Sequence, residues 1–346
     1  MGEFDLIKRF FTRPTPRAVL GVGDDCALLQ SAPGMQMAIS TDMLVSGRHF
    51  FADVDPRALG HKALAVNLSD LAACGASPVA FTLALALPEA DPTWLEPFSQ
   101  GLLALADLHG CELIGGDTTQ GPLNMCITVF GEVPPGQALL RSGAQVGDDV
   151  YVSGTLGDAS LALAQLLRER EGKTVPEAPA DTALPQLCAA DLAQARQRLE
   201  WPTPRVTLGL ALRGIATAAA DISDGLLGDL GHILERSGVG ATLDTTAAIA
   251  LLGAQRYTAP TQAWLGSEAL RASVLKHVLS GGDDYELVFT APTSRCAAVQ
   301  AAASASQTPV TRIGQIDARP GLRLLDAQGQ ALDHRLRSFD HFAAKA

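Results

Sequence analysis

Aspartate recurs along this chain beside glycine, serine and threonine, a pattern suited to metal and phosphate chemistry. Asp24 and Asp25 follow Gly21-Val22-Gly23, Asp42 follows Ser40-Thr41, and Asp70 closes Asn67-Leu68-Ser69-Asp70. Asp117 lies between Gly115-Gly116 and Thr118-Thr119. Asp221 and Asp224 bracket Ile222-Ser223 ahead of Gly225, and Asp283-Asp284 follow Ser280-Gly281-Gly282. Any one of these alone reads as a turn or a helix cap, because the short Asp side chain bonds nearby backbone N–H groups. Together they read differently. Several follow an apolar stretch, and α/β folds build their sites where strands end. Carboxylates gathered in one crevice repel one another and call for cations. Hard oxygen donors of this kind suit Mg²⁺, Mn²⁺ or Ca²⁺, and magnesium held by carboxylates points to phosphate chemistry. The glycine pairs at 115–116 and 281–282 let backbone donors approach a phosphate closely.

The elements that must position these residues alternate. In the first half the pattern predicts a strand over 35–41 ending at Asp42, a helix over 56–74 and a strand over 79–87. A helix over 92–108, a short strand over 111–114 running into Gly115-Gly116-Asp117, and a strand over 123–133 follow. The first helix has Asp55 as N-cap, Pro56 at its first position and Gly75 at its end. On it Asn67 and Asp70 share a face with Ala63 and Val66, so Asp70 points toward packed structure, where a carboxylate is costly unless paired or metal-bound. Pro134-Pro135-Gly136 breaks the pattern and predicts a boundary between a domain 1–136 and a domain 137–346. Beyond it come strands over 149–153, 218–222, 285–290 and 310–316, and helices over 158–170, 205–219, 226–237 and 297–305. Residues 171–185, rich in Pro, Ala and charge, read as a solvated loop insertion. Each half mixes helix and strand, so the expectation is two α/β domains.

Composition narrows the chemistry. The 346 residues are 47% hydrophobic and carry a net charge of −11, which excludes a protein that binds nucleic acid through bulk positive charge. No GxxxxGK[ST] and no protein-kinase signature is present, so phosphates would be held by other backbone donors and metals. The six cysteines form no CxxC, and the seven histidines show no ligand spacing. Met1–Phe11 carries Glu3 and Asp5 and does not read as a signal peptide, and the longest apolar run, 79–87, is too short for a membrane helix. The expectation is a cytoplasmic protein, without membrane partners, whose cysteines act as small buried hydrophobes.

Taken in order, these motifs resemble the thiamine-monophosphate kinases, a family of the aminoimidazole ribonucleotide synthetase superfamily. The stretches that carry the likeness are Gly2-Glu3-Phe4, Gly23 to Ala27, Ile39 to Val45 with His49-Phe50, Ala63 to Gly75, and Gly115 to Thr119. Arg141 to Ala144, Asp221 to Leu226, Ser280 to Leu287 and Asp340-His341-Phe342 complete them, so they span almost the whole chain. The resemblance implies an N-terminal sheet domain that forms a homodimer and a C-terminal α/β domain that closes the site. It implies direct in-line transfer of phosphate from ATP to thiamine monophosphate with several Mg²⁺ ions. By motif, Asp25, Ser40, Thr41, Asp42, Asp70, Asp117, Asp221 and Asp224 resemble the metal-ligand set, with Asp42, Asp70 and Asp117 at the catalytic centre. Gly116, Asp117, Arg141 and Ser223 resemble ATP-binding positions, and His49, Asp283 and Phe339 the positions that meet the thiamine phosphate. Three departures stand out. Asp283 replaces a common Glu, Cys74 a common Met, and Leu108-His109-Gly110 lacks a tyrosine that some relatives place near adenine, which leaves the adenine contact unassigned. Another ATP-using enzyme of the superfamily, or a non-catalytic Mg-nucleotide-binding scaffold, remain the alternatives. A selenophosphate synthetase would want a reactive Cys near the N-terminus, and residues 2–17 contain none.

Overall fold

The computed structural model describes residues 2–170, 187–332, 336, 338 and 339. The expected insertion at 171–185 and the motif Asp340-His341-Phe342 lie outside them. The chain divides into two compact units, Met1–Ala138 and Leu139–Ala346.

The first unit opens with α1 (Glu3–Leu6), whose helical turns continue to Phe11, and then lays down β1 (Gln36–Val45), α2 (Pro56–Ala73), β2 (Ser77–Leu87), α3 (Pro92–His109), β3 (Glu112–Gln120) and β4 (Asn124–Val133). The sheet order is β1-β4-β2-β3, antiparallel except for the parallel β2–β3 pair. Helix α2 starts where the sequence indicates: Asp55 accepts from the Arg57 amide at 2.8 Å, with Pro56 at the first position. Thirteen of its 18 residues are buried and they are spread around the helix, which marks one covered on most of its surface. Gly60 and Gly101 let α2 and α3 touch backbone to backbone. A Cβ on either would lie about 2 Å from a carbonyl oxygen, of Phe98 and of Arg57 respectively. Along β1, Ser40, Asp42 and Leu44 face inward, whereas Ile39, Met43 and Val45 are exposed on the other face.

The second unit contains β5 (Asp148–Ser153), α4 (Asp158–Arg170), α5 (Ala189–Glu200), α6 (Val206–Ala211), β6 (Ala218–Ile222), α7 (Leu226–Ser237) and β7 (Gly240–Asp244). It continues with α8 (Thr245–Ile249), α9 (Ala259–Leu265), α10 (Arg271–Ser280), β8 (Glu286–Pro292), α11 (Cys296–Ala305), β9 (Val310–Asp317) and β10 (Gly321–Leu325). Its sheet order is β10-β7-β9-β5-β8-β6, with only β10–β7 parallel.

Four expectations are corrected. The strand expected over 111–114 runs from Glu112 to Gln120, so Asp117 lies within β3 and not past its end. β1 runs past Asp42 to Val45, so Asp42 is mid-strand; ten residues pair continuously with β4. The helix expected over 205–219 ends at Ala211 and gives way to a turn with Gly214 at φ 70° before β6. The cysteines are not a buried set: all six are free thiols, only Cys111 is buried, and Cys26, Cys188 and Cys296 are exposed. No described helix is long and apolar enough to cross a membrane.

Candidate active site

In the first unit a turn carries Asp24 and Asp25 to the sheet. Its stem is closed by Val19 and Leu28, whose amide–carbonyl bond is 2.8 Å, and Ala18, Ala27 and Leu29 pack against Ala80 and Ile114. The Glu112 carboxylate accepts from the Arg17 and Ala18 amides and pins the start of this turn to β3. Beside it β3 passes straight through Gly115-Gly116-Asp117, pairing Asp117 with Ala84 of β2. Gly116 is required there: its φ is 143°, and a Cβ would lie 1.9 Å from the Leu83 carbonyl oxygen. These residues line a cleft of about 1180 Å³. Asp24, Asp25, Gly116 and Asp117 line it together with Phe4, Ile7, Lys8 and Phe11 from the N-terminal turns. Of the latter, Phe4 is 82% exposed.

A second acidic group sits where β1 meets α2. Ser40 Oγ donates a short hydrogen bond to Asp70 Oδ2. The Asp42 amide donates to Asn67 Oδ1 at 3.1 Å, while the Asn67 side-chain amide donates to Ala63 O at 3.0 Å. Asp42 is close enough to Cys126 for its charge to add to burial in raising that thiol's pKa. Thr41 points to the opposite face of the sheet, where its hydroxyl pairs with Thr128 at 2.9 Å, so it can join Ser40 and Asp42 only through its backbone carbonyl. At the end of β1 the Val45 amide donates to His49 Nδ1 at 3.0 Å. A neutral imidazole that accepts at Nδ1 carries its proton on Nε2.

In the second unit the candidates gather around the turn after β6. Asp221 is buried on the strand. Asp229, in the first turn of α7, accepts from the amides of Ser223, Asp224 and Gly225 at 3.1–3.2 Å and so folds the turn over itself. Burial and the Asp224 charge push the Asp229 carboxyl up to about 7, against the pull of those three donors. The glycine-rich segment before β8 lies against this turn. The Asp283 amide donates to Ser223 O and the Tyr285 amide to Ile222 O, both at 2.9 Å. A Cβ on Gly282 would lie 2.5 Å from Ser223 O, so its glycine serves this packing. The C-terminal segment docks on the same turn: the Phe339 amide donates to Asp224 O at 3.1 Å, and Ser338 Oγ accepts from the Gly228 amide at 2.7 Å. Phe339 is itself 48% exposed. Asp221, Ser223, Asp224, Asp283 and Phe339 are thus brought together. Arg141 is not among them. It lines a depression of about 460 Å³ with Ser142, His232, Glu235 and Arg236, along the later part of α7.

Sequence reasoning missed Asp229, although Gly228-Asp229 repeats the Gly-Asp signal singled out elsewhere, and it missed the apolar lining of the first cleft, although Gly2-Glu3-Phe4 had marked that segment. Among the described residues no three His, Cys, Asp or Glu side chains form a metal-holding group. The donors come as one or two carboxylates with hydroxyl neighbours. That set fits Mg²⁺, which keeps its waters and takes one or two carboxylates together with substrate phosphates instead of an all-protein cage.

Two α/β units carrying acidic, glycine-bordered turns define a phosphate-handling protein of the AIR synthase type. The description "AIR synthase related protein, N-terminal domain" matches residues 23–133, and its C-terminal counterpart matches residues 145–327. The thiamine-monophosphate kinase of Salmonella typhimurium is 45% identical over 99% of this chain and 98% of its own length. The crystal structure of thiamine-monophosphate kinase from Stenotrophomonas maltophilia K279a superposes with a TM-score of 0.78 at 44% identity, over 96% of this chain and 98% of that one. A structure described as AaThiL complexed with AMPPCP and TMP superposes with a TM-score of 0.71 at 28% identity, over 90% of this chain and 89% of that one. The chain belongs to the thiamine-monophosphate kinase family of AIR synthase related proteins.

Proposed function

We propose the following reading of the site. The chain catalyses transfer of the γ-phosphoryl group of ATP to thiamine monophosphate, yielding ADP and thiamine diphosphate. The observation that carries it is the cleft of the first unit, whose lining combines the aromatic and apolar Phe4, Ile7 and Phe11 with Gly116, Asp117 and Asp25. A nucleoside triphosphate asks for both kinds of group: a flat base that stacks on aromatic rings and a phosphate chain that needs backbone donors and cations. Phe4 and its neighbours then supply the adenine contact that no tyrosine at 108–110 provides. Domain 1–136 carries this nucleotide and metal site, and domain 137–346 carries the groups assigned to the substrate.

Asp25, Ser40, Asp42, Asp70, Asp117, Asp221 and Asp224, with the backbone of Thr41, would hold several Mg²⁺ ions, which offset charge on the phosphates in a transfer that needs positioning more than covalent chemistry. The chain's own groups do the orienting. Asn67 fixes the β1 backbone at Asp42, and Ser40 fixes the Asp70 carboxylate. Ser223 binds ATP phosphate oxygens, and Arg141, assigned to them by its motif while lining a separate depression along α7, meets them with its guanidinium as a fork. His49 offers Nε2–H to the substrate phosphate, Asp283 opposes the thiazolium charge, and Phe339 covers an aromatic ring of thiamine. Transfer is direct and in line, without a phosphorylated protein intermediate. The exposed row of Ile39, Met43 and Val45 on the outer face of β1 supports a homodimer formed through this sheet. Free thiols and an ATP-dependent reaction support a cytoplasmic setting.

A coupled assay of ADP release tests the reading. Release requires both thiamine monophosphate and a divalent metal. Equal turnover without thiamine monophosphate, or in excess EDTA, refutes it.

A further inference from the structure

Behind the Gly281–Tyr285 segment lies a charge network, buried at its carboxylates, that the reaction does not use. Glu286, at the start of β8, is 0% exposed. Its carboxylate accepts from Arg205 Nε at 2.6 Å, from Arg198 Nη2 at 2.7 Å and from Ser153 Oγ at 2.6 Å, with a further short bond from Arg205 Nη2. The same Arg198 Nη2 donates to the backbone carbonyl of Asp284 at 3.1 Å. The Asp284 side chain, also 0% exposed, accepts from the Gly157 amide at 2.9 Å.

Stability alone is a weak reason to bury two guanidinium groups here. A buried ion network is often matched by apolar residues of the same volume. Two of its atoms, Arg198 Nε and Asp284 Oδ1, have no hydrogen-bond partner among the described residues. The network does coincide with backbone strain. Asp283 has φ 68° and Tyr285 φ 51°, and the only other described non-glycine residue with positive φ is Gln307. Such conformations persist where the surroundings over-determine them, and they cluster at functional sites. The carbonyl that Arg198 grips belongs to the residue between these two.

We propose that Arg198, anchored by Glu286, is a positioning residue: it locks the peptide at Asp284 so that Asp283 is presented on one side while the flanking amides stay bonded to Ile222 and Ser223. The proposal rests on the reading above that Asp283 meets the thiamine phosphate. An arginine suits the role because the two N–H groups of Nη2 are fixed in the guanidinium plane, one for the carboxylate and one for the carbonyl, whereas a lysine ammonium rotates freely on its stem. Arg205, which binds only the carboxylate among these groups, supplies the second counter-charge to Glu286.

The test is Arg198→Lys, which keeps the charge, alongside Arg198→Met and an Asp283→Asn control. Folding is followed by circular dichroism and melting, steady-state kinetics is measured for each substrate, and amide exchange is measured over 281–286. Arg198→Met risks losing the fold, so Arg198→Lys is the deciding variant. The expected result is a cooperatively melting Arg198→Lys protein whose KM for thiamine monophosphate rises fivefold or more, with KM for ATP within twofold of wild type and faster exchange at Asp283 and Tyr285. Unchanged exchange, or equal effects on both KM values, overturns the proposal. If Asp283→Asn leaves KM for thiamine monophosphate unchanged, the reading of Asp283 is what fails. The exchange data then still decide whether Arg198 holds the loop.

Discussion

Asp70→Asn separates the structural from the chemical role of the β1–α2 acidic pair. In the native protein Asp70 Oδ2 accepts from Ser40 Oγ. Asparagine keeps an acceptor there but loses the charge, and a hydrogen bond to a charged group is worth about 1 kcal/mol more than a neutral one. Relief of repulsion from Asp42 works in the opposite direction, so the metal-free variant should melt within a few degrees of wild type. The effect on Mg-nucleotide is larger. Losing one charged contact of about 2 kcal/mol weakens binding roughly thirtyfold. With Mg-ATP at about one hundred times its wild-type Kd, ligand binding stabilises wild type by about 2.7 kcal/mol but the variant by only about 0.9 kcal/mol. Melts with and without Mg-ATP therefore diverge by about 2 kcal/mol, or several degrees, and turnover falls at least as steeply. The assay is paired thermal unfolding and ADP release. A variant that melts far below wild type without ligand, yet gains the full Mg-ATP stabilisation, would make Asp70 a structural partner of Ser40 and refute the metal assignment at this position.

Other outcomes follow from the same geometry. Phe339→Ala should raise KM for thiamine monophosphate about two- to tenfold and leave KM for ATP near wild type, since the ring of this half-exposed residue contributes stacking of roughly 0.5–1.5 kcal/mol; equal effects on both constants would mean the segment only supports the fold. Gly116→Ala should destabilise the first unit by about 3 kcal/mol, because its Cβ would lie 1.9 Å from Leu83 O at a φ of 143°; a normal melting curve would contradict this. His277 is buried beside Ser160, and desolvation, then the charges of Lys276 and Arg168, bring it down to about 4. An unfolded histidine takes its proton near 6.5, so between pH 6.5 and 4 the unfolded state binds the extra proton and stability falls with decreasing pH, by up to about 3 kcal/mol. Comparing His277→Gln with wild type across that window should show a shallower decline, and parallel curves would exclude His277 as the source.

The elements bearing the first unit's site were legible because each signal is local. Asp55-Pro56 starts α2, Gly110 at φ 58° closes α3, and alternation marks the strands. What escaped was non-local or weakly patterned. β7 and β10 are five-residue strands that pair with each other 81 positions apart, as at Gly240 with Gly321, and neither has length enough to stand out. α5 and α10 carry mixed polarity without strong caps. Asp42 and Asp70 could be named as a pair from motifs, but the role of Asn67 in fixing the Asp42 amide needs β1 to lie against α2. Glu286 shows the limit most clearly: Arg198 and Arg205 lie 88 and 81 residues away, and nothing in Tyr285-Glu286-Leu287 announces a buried double ion pair. The cysteines misled because the small-hydrophobe reading ignores that Cys26, Cys188 and Cys296 fall in a turn or at helix starts, where side chains face solvent.

Single-turnover reaction with γ-labelled ATP tests the central claim most directly. With enzyme in excess over labelled ATP, and with Mg²⁺ and thiamine monophosphate present, the label should pass into the terminal phosphate of thiamine diphosphate at the rate ADP forms, with none retained on quenched protein. Label trapped on the protein, or released as inorganic phosphate while thiamine monophosphate stays unchanged, would contradict direct transfer between the two substrates.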